Sequence, residues 1–470
     1  MELKWAINRG RLCFFFLVLL SSLYSCEKDD GPQDIKKEDP LELQKRFAYD
    51  ILTDIYYWYR YIPSGVEPSG VDGIHEYFDT LLAPQDRWSW MMTGQEYLDS
   101  ESGIAESYGI SLGQPIEYYN DYSVKVRYVH PGSPMDDMGI KRGYTLTHLN
   151  GVPVSSLIAN GSFNAVYSGS TNNFTFLDHS GLQTNFTVTK EIINTRSSLM
   201  ATIYDNKDYP GLPGKIGYFH YLSFKASMLD DIKEAMNLFK TNNISELILD
   251  LRYNGGGDSR ATKLLANYIA PASAQGALLA RREHNDRYSS WDQDKATQTI
   301  IEREADALDL NRIFILTTKG TASASEIIIN GLRPLVEVIQ IGETTYGKPN
   351  GMYVLPYPDG NYDNPEYVFL PICYFSVNSE GEGHYVDGLV PDHIRPDDLY
   401  HDFGLRDDWI QSIFKYITEG KFPALPSRES AVSTLSAPGK IIREEDMAQY
   451  GRYSVIPLNS DYFPKPARSK

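Results

Sequence analysis

The spacing of apolar positions changes along this chain, and each change marks a new element. Leu43, Phe47, Ile51, Ile55, Trp58 and Tyr59 fall mostly at three- and four-residue steps, which predicts a helix. Later runs are shorter and richer in β-branched residues. Residues 215–224 predict a strand, 228–239 an amphipathic helix, and 246–252 a buried strand. That strand runs into Tyr253-Asn254-Gly255-Gly256-Gly257, and a helix is expected from about Arg260. Residues 313–318 read as another buried strand, broken by Gly320. A short apolar helix over 322–332 follows, then a strand over 336–341 and a turn over 342–347 that delivers Lys348. Two further β segments, 352–355 and 367–377, come after the lysine. Apolar strands alternating with helices predict an α/β domain with a parallel sheet.

Neither end of the chain fits this pattern. Lys4, Arg9 and Arg11 precede an apolar run over 12–20 that is too short to span a bilayer as an ordinary helix. The run closes on Leu23-Tyr24-Ser25-Cys26, which resembles the lipobox of a bacterial lipoprotein signal. The expectation is a signal peptide over 1–25, removed to leave Cys26 as the lipidated first residue. That places the protein in the cell envelope, anchored by lipid to a bacterial membrane, expected to be the outer one, on its periplasmic or surface side. Residues 26–42 read as a charged tether and 425–470, rich in Pro, Ser and charge, as a loosely ordered tail.

Composition narrows the choices further. With 42% apolar and 13% aromatic residues in 470, cores for two to four domains are available. The formal charge of −18 becomes −20 without residues 1–25, which carry three basic residues and one acidic one. Such a charge argues against nucleic acid as a partner and against binding to anionic lipid by charge alone. Of three cysteines, Cys13 leaves with the signal and Cys26 takes lipid, so Cys373 has no disulfide partner and reads as core.

Candidate chemistry gathers at two turns. Ser323 sits where a strand passes into a helix, a place that favours a nucleophile because the first helical N–H groups are unpaired. Strand–helix–strand connection brings Lys348 to the same sheet edge, and a Ser–Lys pair is a known variant of serine catalysis. The glycine turn at 255–257, between a strand and a helix, suits an anion. It matches neither G-x-x-x-x-G-K-S/T nor G-x-G-x-x-G, so nucleotide binding is set aside. No histidine forms H-E-x-x-H, although a distant Ser–His partnership stays open. Asp359, Asn361 and Asp363 mimic the start of a calcium loop, but Asn364 and Leu370 stand where it needs glycine and glutamate. No metal or cofactor is expected.

Thr321-Ala322-Ser323-Ala324-Ser325-Glu326, with a lysine 25 residues after Ser323, resembles the carboxyl-terminal processing peptidases, or tail-specific proteases. The resemblance covers about 45–400. It implies Ser323 as nucleophile, Lys348 as general base, and an oxyanion hole from the backbone N–H of Ala324 with that of Gly255 or Gly256. Asp250-Leu251-Arg252, Asn254, Gly256 and Gly257 match the family's glycine turn, where Arg252 is expected to act as a support. Ser325 and Glu326 are read as structural. Residues 103–190 resemble a PDZ domain, with Tyr108, Gly109 and Ile110 as the peptide-binding loop, although Met138 and Tyr144 depart from its usual pattern.

The implied architecture is multidomain, α/β and β. It comprises a helical cap over 43–102, the PDZ-like domain, and a crotonase-like (ClpP-like) α/β catalytic domain over 191–424. Its partners would be protein or peptide substrates. One departure touches the site itself: Met352 stands where many members carry a glutamine four residues after the lysine, and Asn350 is the candidate replacement. The competing reading is a catalytically inactive binding lipoprotein on the same scaffold.

Overall fold

The computed structural model describes residues 39–425, apart from 116–118, 120 and 362. The expected signal, Cys26, most of the tether and nearly all of the tail lie outside the described residues.

A six-stranded sheet forms the centre of the molecule. Its strands run in the order Ser198–Tyr204, Ile216–Tyr221, Glu246–Asp250, Arg312–Thr317, Glu337–Gly342 and His393–Ile394. The first pair is antiparallel and all the others are parallel. Side chains of successive strand residues point to opposite faces, and here both faces are covered. Leu247, Leu249, Ile313 and Ile315 pack against the helices Leu229–Thr241, Ser259–Ile269 and Ala324–Leu332. Ile248, Phe314 and Leu316 meet Trp409, Ile410, Ile413 and Phe414 of the helix Asp408–Glu419. Burial on both sides explains why these strands read as continuous apolar runs.

A second, four-stranded antiparallel sheet stands beside the first, in the order Gln298–Ile300, Leu278–His284, Ile372–Val377, Asn350–Met352. The segment expected as one strand over 367–377 is two strands in different sheets. Tyr367–Leu370 pairs with Trp90–Thr93, and Ile372–Val377 belongs to the four-stranded sheet. Pro371, which has no N–H to donate, separates them. Likewise 352–355 divides into Asn350–Met352 and Leu355–Pro356.

The N-terminal helix, Pro40–Asp54, is shorter than the apolar spacing predicts. Past Asp54 the chain unwinds, and the Tyr57 N–H donates to the Ile372 carbonyl at 2.7 Å. Trp58 and Tyr59 still pack against the cap, whose core joins Leu52, Phe78, Trp88 and Met91 to Met352, Val368 and Phe369.

Between cap and central sheet in the sequence comes an antiparallel sheet with its own core, five strands in line and a sixth, Val152–Pro153, paired off this path with Thr145–Leu149. Its order is Ile110–Gly113, Val124–Val129, Thr145–Leu149, Thr171–Leu177, Gln183–Thr189. Ile104–Ser107 and Glu191–Asn194 pair with each other, so the chain enters and leaves this unit side by side.

Candidate active site

Ser323 lies six residues past the end of the strand Arg312–Thr317 and caps the helix Ala324–Leu332. Its φ of +56° is a left-handed value that side chains other than glycine rarely adopt, so the loop around it must hold it there. Several bonds do so. The Thr321 hydroxyl donates to the Leu251 carbonyl at 2.7 Å, the Ala322 N–H to the Asn254 carbonyl at 3.0 Å, and the Ser325 hydroxyl to that same carbonyl at 3.0 Å. The serine loop is thereby fastened to the glycine turn.

Glu326 fastens it to the lysine turn as well. This carboxylate is fully buried and accepts four donors: the Ser323 N–H at 2.9 Å, the Thr345 hydroxyl at 2.5 Å, the Gly347 N–H at 2.8 Å and the Lys348 N–H at 2.8 Å. Ser323 and Lys348 share a single oxygen, Oε2. The Thr345 hydroxyl itself accepts from the Leu389 N–H at 2.7 Å, so its proton is directed at Glu326. Burial raises the Glu326 pKa, while the four donors favour the anion. Since every neighbour donates and none accepts, we assign the ionised form. The helix N-terminus adds to that preference.

Lys348 is 7% exposed, and burial lowers its pKa to about 8 against the opposing pull of Asp86 and Glu326. Part of the enclosure comes from the cap. Trp90 places its ring 4.6 Å from Nζ, and Arg87 donates to the carbonyls of Tyr346, Gly347 and Val386 at 3.3, 3.2 and 2.8 Å. Asp86 shapes this segment by accepting the Trp88 and Ser89 N–H groups and the Tyr56 hydroxyl. Sequence reasoning placed these residues in a structural cap and missed their contact with the lysine. Asp86-Arg87-Trp88-Ser89-Trp90 is a compact aromatic cluster in the sequence, but nothing local ties it to Lys348.

The glycine turn meets the serine directly. A Cβ on Gly256 would stand 2.7 Å from the Ser323 Cβ and 2.8 Å from the Ala324 nitrogen, so only glycine permits this approach. Gly256 does not, however, offer a free N–H, because it donates to Asn254 Oδ1 at 2.9 Å. That corrects its place among the oxyanion donors. The Ala324 N–H, in the first turn of its helix, and the Gly255 N–H remain without an intramolecular acceptor among the described residues. Arg252 supports the turn from below, fully buried and ion-paired to Asp250 at 2.5 Å and Asp407 at 2.7 Å.

A narrow cleft opens beside the serine, lined by Ser323, Ala324, Gly257, Ile327, Asn350 and Tyr374 among others. None of its lining residues is a histidine. Met352 turns instead into the apolar cap core, and the Asn350 side chain bonds to nothing, so it does not take over the missing glutamine's contact with the lysine. Further away, the Tyr108 side chain is core, hydrogen-bonded to the Gly169 carbonyl and accepting from Asn172. The Gly109 N–H donates to the Ser107 hydroxyl at 3.0 Å, and Ile110 begins the edge strand of the five-stranded sheet. Cys373 is fully buried, its thiol pushed up to about 12. Asp359 accepts the N–H groups of Asn361 and Glu366, forming a turn, and no metal-binding cluster occurs among the described residues.

The chain resembles known proteins in two segments. Residues 44–90 match the peptidase S41 N-terminal domain and residues 215–384 match peptidase family S41. Over 299 residues the chain is 25% identical to carboxyl-terminal-processing peptidase 2, chloroplastic, of Arabidopsis thaliana, covering 63% of this chain and 54% of that protein. It is 26% identical over 268 residues to the carboxyl-terminal-processing protease of a Synechocystis species, covering 56% and 57% respectively. The chain thus spans little more than half the length of these two relatives. A solved structure of a candidate S41 protease from Bacteroides fragilis shares the fold, with a TM-score of 0.64 at 23% identity, covering 84% of this chain and 100% of that one. The chain thus carries two segments of the peptidase S41 type and is similar to the carboxyl-terminal processing peptidases.

Proposed function

We propose that this chain is a serine endopeptidase in which Ser323 is the nucleophile and Lys348 the general base. The observation that carries the reading is the shared Glu326 oxygen. It holds the backbones of Ser323 and Lys348 together at the edge of a cleft, while burial brings the lysine to about 8. Near neutral pH a useful fraction of Lys348 is then unprotonated, and neutral Nζ takes the Ser323 proton as Oγ attacks the peptide carbonyl. The oxyanion forms against the N–H groups of Ala324 and Gly255. Lys348 passes its proton to the leaving amine, and water then releases the acyl group. Loss of one such oxyanion donor costs ~10²–10³ in turnover.

Exported proteins or peptides are the proposed substrates, recognised through their carboxyl-terminal regions. The five-stranded unit fits a PDZ-like role because, among the described residues, Ile110–Gly113 pairs on one side only, with Val124–Val129, and so can accept a peptide strand. In this state the Gly109 N–H is engaged by Ser107, so capture of a terminal carboxylate there requires that bond to open. The signal-like segment ending at Cys26 supports a lipid anchor in the cell envelope, and Ala324–Leu332 packed on the central sheet is compatible with a crotonase-like core.

The test is cleavage of an unfolded protein with an apolar carboxyl terminus by residues 27–470 and by a Ser323→Ala variant, followed by mass spectrometry. The expected result is cleavage by the parent alone, rising with pH through about 8. Failure of the parent both to cleave and to react at Ser323 with a serine-directed probe would favour the inactive binding lipoprotein.

A further inference from the structure

Asn350 is the outstanding polar group of the cleft. Its residue is 1% exposed, it lines the cavity together with Ser323 and Ala324, and neither Oδ1 nor Nδ2 has a hydrogen-bond partner. Leaving a buried polar group unpaired costs about 1–3 kcal/mol, so both ends of one carboxamide are held at a disadvantage. The rest of the neighbourhood is not loosely made. Gly351 lies so close to Tyr374 that a Cβ would stand 2.4 Å from its hydroxyl oxygen, and Asn350 is in register with Phe375 of the adjoining strand. The strand Asn350–Met352 pairs only with Ile372–Val377 and ends its sheet, so its outer edge has no strand beside it among the described residues.

The chemistry of the missing partner follows from what the carboxamide offers, one acceptor and a donor side by side. Its complement is a group with a donor and an acceptor at the same spacing. A residue in extended conformation has this form, since its own N–H and C=O point to the same edge. Neither atom of Asn350 is committed elsewhere, so the amide can turn either way to meet the pair. We propose that Asn350 grips a main-chain N–H and C=O of the peptide lying in the cleft, fixing the chain beside Ser323. This rests on the reading of the cleft as a peptidase site and adds to it a substrate-positioning residue. It differs from a role in orienting Lys348, for which Asn350 would need a bond that it does not make.

The experiment uses residues 27–470 with Asn350→Leu, which keeps the approximate size and removes both polar atoms, and Asn350→Ser as a second variant. Three quantities are measured: thermal stability, the rate and pH midpoint at which a small fluorophosphonate labels Ser323, and kcat/KM on peptides with and without Asn or Gln. The expected result is a fall in kcat/KM of about 10- to 100-fold on every peptide. The labelling rate should stay within about twofold, its pH midpoint should not move, and the Leu variant should melt at or above the parent's temperature.

Unchanged kcat/KM would overturn the proposal. So would labelling that falls as far as cleavage, because Asn350 would then act on Lys348 or Ser323. A lower melting temperature for both variants would mark a structural residue, and a loss confined to peptides containing Asn or Gln would identify a side-chain amide as the ligand. A parent that neither labels nor cleaves overturns the peptidase reading itself, and this inference with it.

Discussion

Lys348 carries a charge that its surroundings resist. Burial lowers its pKa from 10.5 to about 8, so at neutral pH the folded protein still holds an ammonium group against the preference of the site. Between about 8 and 10.5 the unfolded chain binds the extra proton, and stability rises with pH across this window. Below 8 the penalty is fully present, and above 10.5 it is gone. Lys348→Met removes the charge and keeps much of the volume. It should abolish cleavage yet raise stability near pH 7 by on the order of 2 kcal/mol. The gain should shrink to nothing in melts at pH 11. A variant that melts lower than the parent at pH 7 would show that the lysine is not a strained base at all.

At the scale of elements, the lysine turn depends on a segment more than 250 residues away in sequence. Arg87 ties down the carbonyls of Tyr346 and Gly347, and Trp90 covers Nζ. The ring has two opposed effects: its face attracts the ammonium, and its bulk keeps water out. Burial is the largest influence on Lys348, so exclusion of water should win. Trp90→Ala should therefore move the pH midpoint of cleavage upward from about 8, with the high-pH plateau nearly retained. If the indole only packs, the midpoint will stay in place and melting temperature alone will fall.

This long reach explains what could be read in advance. The strands Ile216–Tyr221, Glu246–Asp250, Arg312–Thr317 and Glu337–Gly342 were legible because burial on both faces leaves largely apolar runs. Ser323 and Lys348 stood out through strand–helix–strand spacing and the family resemblance, and Glu326 bonds to the backbones of both. The helix Asp408–Glu419 was not singled out, though Trp409, Ile410, Ile413 and Phe414 have helical spacing. The partners of Glu326 were hidden for a different reason. A glutamate at a helix start explains itself locally, and its bonds to Gly347 and Lys348 exist only once two strands have paired.

Across the whole molecule, the glycine turn is also held by the five-stranded unit. Arg142 reaches out of that unit and is fully enclosed, donating to the Arg127 carbonyl at 2.7 Å, the Tyr253 hydroxyl at 2.7 Å, Asp397 at 2.8 Å and the Asp398 carbonyl at 2.7 Å. Tyr253, which also donates to Asp397, has a φ of +65° and opens the turn that meets Ser323. One guanidinium thus bonds to the inserted unit, to the turn and to the segment leading into the helix Asp408–Glu419. Truncating one member of such a buried set costs more than its net worth, because the others stay buried without it. Arg142→Ala should lower stability by about 3–5 kcal/mol. Tyr253→Phe removes a hydroxyl from the same set, so the two losses should not add. A double-mutant cycle is expected to give a coupling of at least about 1 kcal/mol. Additive losses would mean that Arg142 stabilises its own unit only, and that the glycine turn owes its left-handed start to the central sheet alone.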